Sequence, residues 1–159
     1  IPDDYKRVYN NGQAFFRQVV TTDTNFEARE NFNFKEPLNL VLRLEAKVPI
    51  KNSILTLSII NEEQEKISYC EYPGNSFHGI DLEPGHYTFY LNFSDSFLPG
   101  KYFVNPSLVA SNGHAFDVLE RISPFNVSND SADGSHYYKW NVKHGNAFMN
   151  LKKIEIEKK

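Results

Sequence analysis

The sequence predicts an all-β fold, an antiparallel β-sandwich of the immunoglobulin-like or jelly-roll kind with about eight strands, and three observations predict it. Apolar residues recur with a period of two in segment after segment, the pattern of strands that bury one face. Gly, Pro, Asn and Asp cluster between those segments, so strands and turns alternate at roughly the 8–12-residue spacing of a sandwich. The composition is aromatic, with 13 Phe, 9 Tyr and 1 Trp against a single Met, which suits pleated sheets better than helix bundles. At 159 residues the chain suits one domain over 1–159, able to bury roughly 68–70% of the surface its unfolded form exposes.

The elements follow in order. Phe15 to Thr22 reads as the first strand, and Pro37 to Lys47 as the clearest, with Leu38, Leu40, Leu42, Leu44 and Ala46 on one face and Asn39, Val41, Arg43 and Glu45 on the other. Ile54 to Ile60 and Lys66 to Tyr72 read as a hairpin, its tip the polar run Asn61 to Glu65. His86 to Phe93 places Tyr87, Phe89, Leu91 and Phe93 on one side and His86, Thr88, Tyr90 and Asn92 on the other. Leu98-Pro99-Gly100 is a turn, since Pro presets φ and Gly tolerates positive φ.

Lys101 to Ala110 then points Tyr102, Val104, Leu108 and Ala110 inward and Phe103, Asn105 and Ser107 outward. Pro106 cannot donate to a ladder, so a bulge or an edge position is expected there. Asn112-Gly113 is the strongest hairpin signal, joining that strand to Phe116 to Val127. Ser128 to Gly134 reads as an exposed loop, and Phe148 to Ile156 as the last strand.

Composition excludes several functions. Net charge is −3 and the 17 basic residues are scattered, apart from Lys152, Lys153, Lys158 and Lys159, which read as a solvated edge strand or tail rather than a membrane-surface anchor; a nucleic-acid partner would need a basic stripe. No stretch approaches the roughly 18 apolar residues of a membrane span, and no signal-peptide pattern is present. Cys70 is the only cysteine, which rules out an internal disulfide and fits a reducing compartment. The chain starts at Ile1 rather than Met, as a processed or excised piece of something longer would. Sequons at Asn92, Asn126 and Asn129 leave a glycosylated ectodomain as a rival reading.

Catalytic and metal patterns are missing. His78, His86, His114, His136 and His144 are dispersed, without the spacing a metal site needs, and Asp130 to Gly134 lacks the geometry of an EF-hand. Gly-x-Ser-x-Gly and phosphate-cradling glycine loops are absent, so no catalytic residue, cofactor or metal is assigned. What stands out is the outward sheet surface: Arg43, Thr88, Tyr90, Asn92, Phe103, Asn105 and Ser107. Aromatic rings offer flat faces to the C–H side of a sugar while Asn, Arg and Ser satisfy hydroxyls. Cover by a loop or a second subunit would explain the same residues. His114 is a weaker candidate, and Trp140 is either a plug at one end of the sandwich or a ligand platform.

An ordered set of segments carries a resemblance: Leu38-x-Leu-x-Leu-x-Leu, Leu55-x-Leu-x-Ile-Ile-Asn, Ile80-x-Leu-x-Pro-Gly-His-Tyr-x-Phe, Phe97-Leu-Pro-Gly-Lys-Tyr102, and Asp117-Val-Leu-Glu-Arg-Ile-x-x-Phe125-x-Val127. Over roughly residues 13 to 127 the chain resembles the C-terminal carbohydrate-binding domain of Wzt, the ATP-binding subunit of ABC exporters for O-antigen polysaccharide. The resemblance implies a jelly-roll, lectin-like fold and non-catalytic recognition of the polysaccharide or its terminal group. It further implies an ATPase domain before Ile1, a membrane subunit of the exporter as partner, a cytoplasmic place at the inner membrane, and dimers formed by strand exchange. On that reading the outward residues of the Arg43, Tyr90 and Phe103 strands form one sugar groove. An immunoglobulin-like protein-interaction domain and a glycan-active enzyme of sandwich fold are the rivals from other classes.

Overall fold

The computed structural model describes residues 1–73, 78–93, 97–131, 133–135 and 137. Among them are eleven strands and no helix: β1 (Tyr9–Asn10), β2 (Ala14–Thr22), β3 (Asn31–Phe34), β4 (Asn39–Ala46), β5 (Ile50–Asn61), β6 (Lys66–Tyr72), β7 (Ile80–Leu82), β8 (Gly85–Asn92), β9 (Gly100–Ala110), β10 (Ala115–Val118) and β11 (Ile122–Ser131). One sheet is β2-β4-β8. The other centres on β9, with β5 on one flank, β10 and β11 sharing the other, β6 and β7 beyond β5, and β1 and β3 outermost. Pairing is antiparallel except between β3 and β11, and the sheets are not closed into a barrel. The expected sandwich is therefore present, and β1, β3 and β7 are short strands the periodicity did not reveal.

The alternation explains which faces meet. Leu38, Leu40, Leu42, Leu44 and Ala46 are all buried, and they pack against Leu55, Leu57, Val104 and Leu108 of the facing sheet. Each fully buried Leu contributes roughly 1.5–3 kcal/mol. Phe32, Phe97, Tyr102 and Phe125 close one end, with Tyr102 stacked on Phe125 at 5.3 Å. The Tyr102 hydroxyl donates to the Leu98 carbonyl at 2.6 Å, and burial pushes its pKa up to about 12.

Phe116 to Val127 is not one strand but two, and Pro106 supplies the reason. The Pro106 carbonyl accepts the Leu119 N–H at 3.1 Å. Because N–H and C=O of one strand residue point to the same side, the missing N–H of Pro106 faces this flank too. The partner strand breaks there, with Arg121 and Ser123 at positive φ of 53° and 49°, and the Asn105 side chain accepts the Arg121 N–H at 2.7 Å. Pro106 thus sits in a central strand beside a bulge, not at an edge. The Asn112-Gly113 turn forms as expected, with Gly113 at φ 89° donating to the Ala110 carbonyl at 2.8 Å.

The N-terminal segment is fastened by a buried charge. Asp117 is fully buried and accepts from Arg7 Nη1 at 2.7 Å, Asn10 Nδ2 at 2.9 Å and the Phe16 N–H at 2.7 Å. Those bonds join β10, β1 and β2, so one carboxylate ties the edge of one sheet to the edge of the other.

Gly79 shows how closely β7 approaches β5. An added Cβ would lie inside van der Waals contact of the Ser53 and Asn52 carbonyls, 2.8 Å from the latter, and these are backbone atoms that cannot swing away. Gly79→Ala is expected to lower stability by about 1–3 kcal/mol, read as a fall in the denaturant midpoint. Ser128 to Gly134 is not all loop, since β11 continues to Ser131 and pairs there with Phe34; Trp140 and the Phe148 to Ile156 strand lie outside the described residues.

Candidate functional site

The sandwich divides the candidate residues between its two outer faces. Arg43, Thr88, Tyr90 and Asn92 belong to β4 and β8 of the three-stranded sheet, where Arg43 is paired with Thr88 and Val41 with Tyr90. Residues paired directly across antiparallel strands share a face. Phe103, Asn105 and Ser107 lie on β9, in the other sheet. In each sheet the alternate positions, Leu42 and Leu44 or Val104 and Leu108, fill the common core, so the outward sets point in opposite directions. The single groove expected from the Arg43, Tyr90 and Phe103 strands is therefore two separate surfaces.

On the β9 face each candidate already has a partner within the protein. The Phe103 ring is covered by the Arg121 guanidinium at 4.2 Å and approached by the Lys101 ammonium at 5.6 Å. Asn105 holds the Arg121 N–H, and Ser107 shares a hydrogen bond with Thr56 at 2.7 Å. His114 is exposed beside the β9–β10 turn.

The three-stranded face is more open. Successive cross-strand rows are Phe15-Glu45-His86, Gln18-Arg43-Thr88 and Val20-Val41-Tyr90. Tyr90 is 60% exposed, an unusual state for a large aromatic in mid-strand. Phe26 packs edge-on to it, with centroids 5.0 Å apart and planes at 73°. Phe26 stands at φ 61° in a loop that Asp23 shapes by accepting the N–H groups of Asn25 and Glu27 at 2.8 and 3.0 Å. Asn39 pins this loop to the strands, donating to the Asp23 carbonyl at 3.2 Å and accepting the Phe93 N–H at 3.2 Å. Phe26 was not among the residues singled out from the sequence; the Asp23-Thr24-Asn25 turn signal could have marked the loop, but not where it folds.

Charge on this face is unevenly neutralised. Glu45 accepts from Lys47 at 2.8 Å and from Arg17 Nε at 2.7 Å, and Arg17 also reaches Asp3. Arg7, Arg17 and Lys47 surround the Phe15 ring at 5.3, 4.8 and 5.7 Å. Arg43 has no such carboxylate partner among the described residues, so the centre of the sheet presents an uncompensated cation beside Tyr90.

The same corner sets an acid sensitivity. Bonds from Lys47 first, then Arg17, lower the Glu45 pKa from 4.5 to about 2. A group whose folded pKa is depressed stabilises the fold above its unfolded value and loses that contribution as pH falls through the folded one. Glu45→Gln is therefore expected to flatten the fall of stability between pH 4.5 and about 2, measured by thermal melts across that range. An unchanged pH profile would show that the corner does not couple to folding.

Among the described residues no group of three or more His, Cys, Asp or Glu could hold a metal, and no helix is long and apolar enough to cross a membrane. No curated protein matches the sequence. A solved structure described as the C-terminal domain of Wzt is similar, with TM-score 0.64, 9% identity, 90% of this chain covered and 87% of that one. A Niemann-Pick type C2 protein from Japanese carpenter ant is also similar in fold, with TM-score 0.50, 7% identity, 77% of this chain covered and 98% of that one. At such identities the likeness is one of fold. The family model described as the Wzt C-terminal domain matches residues 5–137, a span that takes in every described strand, both outer faces and the Phe26 loop, and the chain accordingly belongs to the Wzt C-terminal domain family.

Proposed function

We propose that this domain recognises bacterial O-antigen polysaccharide, along the chain or at its terminal group, and presents it to an ABC exporter without performing bond chemistry. The observation that carries the reading is the exposed Tyr90 ring, braced by Phe26 and set beside the unneutralised Arg43. A flat aromatic face takes the C–H side of a pyranose, and the fixed donors and acceptors around it take hydroxyls. Thr88 and Asn92 supply those neighbours on β8, both exposed.

The chemistry of the face favours binding over hydrolysis. A glycosidase needs a pair of carboxyl groups, one of them a general acid with a raised pKa. Glu45 is the acidic residue of the cross-strand rows, and its cations hold it ionised. Family membership supports an exporter context. In that context an ATPase domain precedes residue 1, the membrane subunit is a partner, the domain works on the cytoplasmic side of the inner membrane, and two copies associate by strand exchange.

Calorimetric titration of the chain with lipid-free O-polysaccharide from its own source, against dextran as control, tests the reading. Selective binding is expected. Heat from neither polymer at millimolar repeat units would overturn it.

A further inference from the structure

On one side of the sandwich each sheet ends, among the described residues, in an edge strand. There β8 pairs only with β4, and β6 only with β5, and between them a cleft of about 380 Å³ opens. That volume falls within the roughly 300–1,000 Å³ of small-molecule sites. Leu57, Leu91 and Phe93 line it, together with Tyr72, Tyr90 and Asn92. Tyr72 is 57% exposed. Tyr90 belongs both to this cleft and to the sheet face already described, so the two surfaces are continuous across the edge of β8.

The lining matches a sugar better than it matches a hydrocarbon or an anion. Its apolar side chains can cover the C–H face of a ring, and its polar groups are two phenol hydroxyls, an amide and the Glu71 carboxylate, which accepts from the Tyr69 hydroxyl at 3.0 Å. The Tyr72 and Tyr90 hydroxyls and the Asn92 amide make no hydrogen bond within the protein among the described residues, so they are available to hydroxyls. No lysine or arginine lines the cleft, which distinguishes it from the Arg43 face.

Resting on the function proposed above, we infer that a bound glycan continues over the edge of β8 into this cleft, where a neighbouring sugar ring packs on Tyr72 and Tyr90 and hydrogen-bonds Asn92. The site is thus a path at least two sugars long, with Tyr90 shared between its two halves. Longer fragments bind more tightly than single sugars because the second ring is held at little additional cost in translational freedom.

The test compares methyl glycosides of the component sugars with size-fractionated oligosaccharides cut from the same lipid-free O-polysaccharide, titrated against the wild-type chain and its Tyr72→Ala and Tyr90→Ala variants. Affinity is expected to rise with length in the wild type. Tyr72→Ala weakens the longer fragments about three- to tenfold and leaves the methyl glycosides unchanged, which also confirms that the variant is folded. Tyr90→Ala weakens both. If affinity is independent of length, or Tyr72→Ala leaves the longer fragments untouched while Tyr90→Ala still weakens binding, the cleft is overturned and the sheet-face reading stands. If Tyr90→Ala has no effect, or the wild type binds nothing, both are overturned.

Discussion

Replacing Asp117 by alanine is expected to destabilise the domain by about 3–5 kcal/mol, a large share of the roughly 5–15 kcal/mol by which domains are stable. Asp117 is fully buried and the Arg7 side chain is 5% exposed, so neither charge has water to fall back on. Removing the carboxylate strands the guanidinium, the Asn10 amide and the Phe16 N–H together. All three of those donors lie within the first sixteen residues, so the loss also loosens that segment, leaving β1 held to β10 by its backbone ladder. Arg7→Ala should cost a similar amount, because it leaves the carboxylate buried without its cation. Guanidinium unfolding of the two variants and of the pair measures this. Strong non-additivity in the double variant is expected, and a loss below about 1 kcal/mol for Asp117→Ala would show the bonds to be replaceable by water.

Tyr90→Ala is expected to weaken polysaccharide binding by about 1–2 kcal/mol, roughly five- to thirtyfold, with the unfolding midpoint nearly unchanged. The ring is 60% exposed in the free protein and contributes little to the core, so what its removal takes away is the platform. Phe26→Ala should have a smaller effect of the same sign, since Phe26 touches Tyr90 by its edge and acts as its brace. Asn105→Ala is the contrasting variant. Its carbonyl oxygen holds the Arg121 N–H across the bulge, so it should lower stability by about 1 kcal/mol and leave affinity as it was. Equal affinity losses in Tyr90→Ala and Asn105→Ala would move the site away from the three-stranded face.

These variants separate because strand and face are local properties while sheet membership is not. The period of two places Tyr90 outward on β8 and Asn105 outward on β9 correctly, since each assignment depends only on neighbours two residues away. Nothing local says that β8 pairs with β4 and β9 with β5, and that pairing alone decides whether two outward residues meet. Phe26 was missed for the same reason. Its turn is written in Asp23 and Asn25, but its ring reaches Tyr90 only because Asn39 fixes the loop against the far sequence. Asp117 was noticed only as part of a longer segment, because a lone Asp in a strand pattern does not reveal a buried Arg7 110 residues away.

The sequence by itself determined an all-β sandwich, the buried faces of its principal strands, the Asn112-Gly113 turn, a disturbance of the ladder at Pro106, and a family, since each is carried by side-chain period, turn chemistry or ordered segments along the chain. The tertiary structure decided that Arg43, Thr88, Tyr90 and Asn92 form one face and Phe103, Asn105 and Ser107 another. It also decided that Phe26 joins the first face, and that the cleft between β6 and β8 opens beside it. Those facts depend on which strands hydrogen-bond to which, and the contacts that choose among pairings lie far apart in sequence.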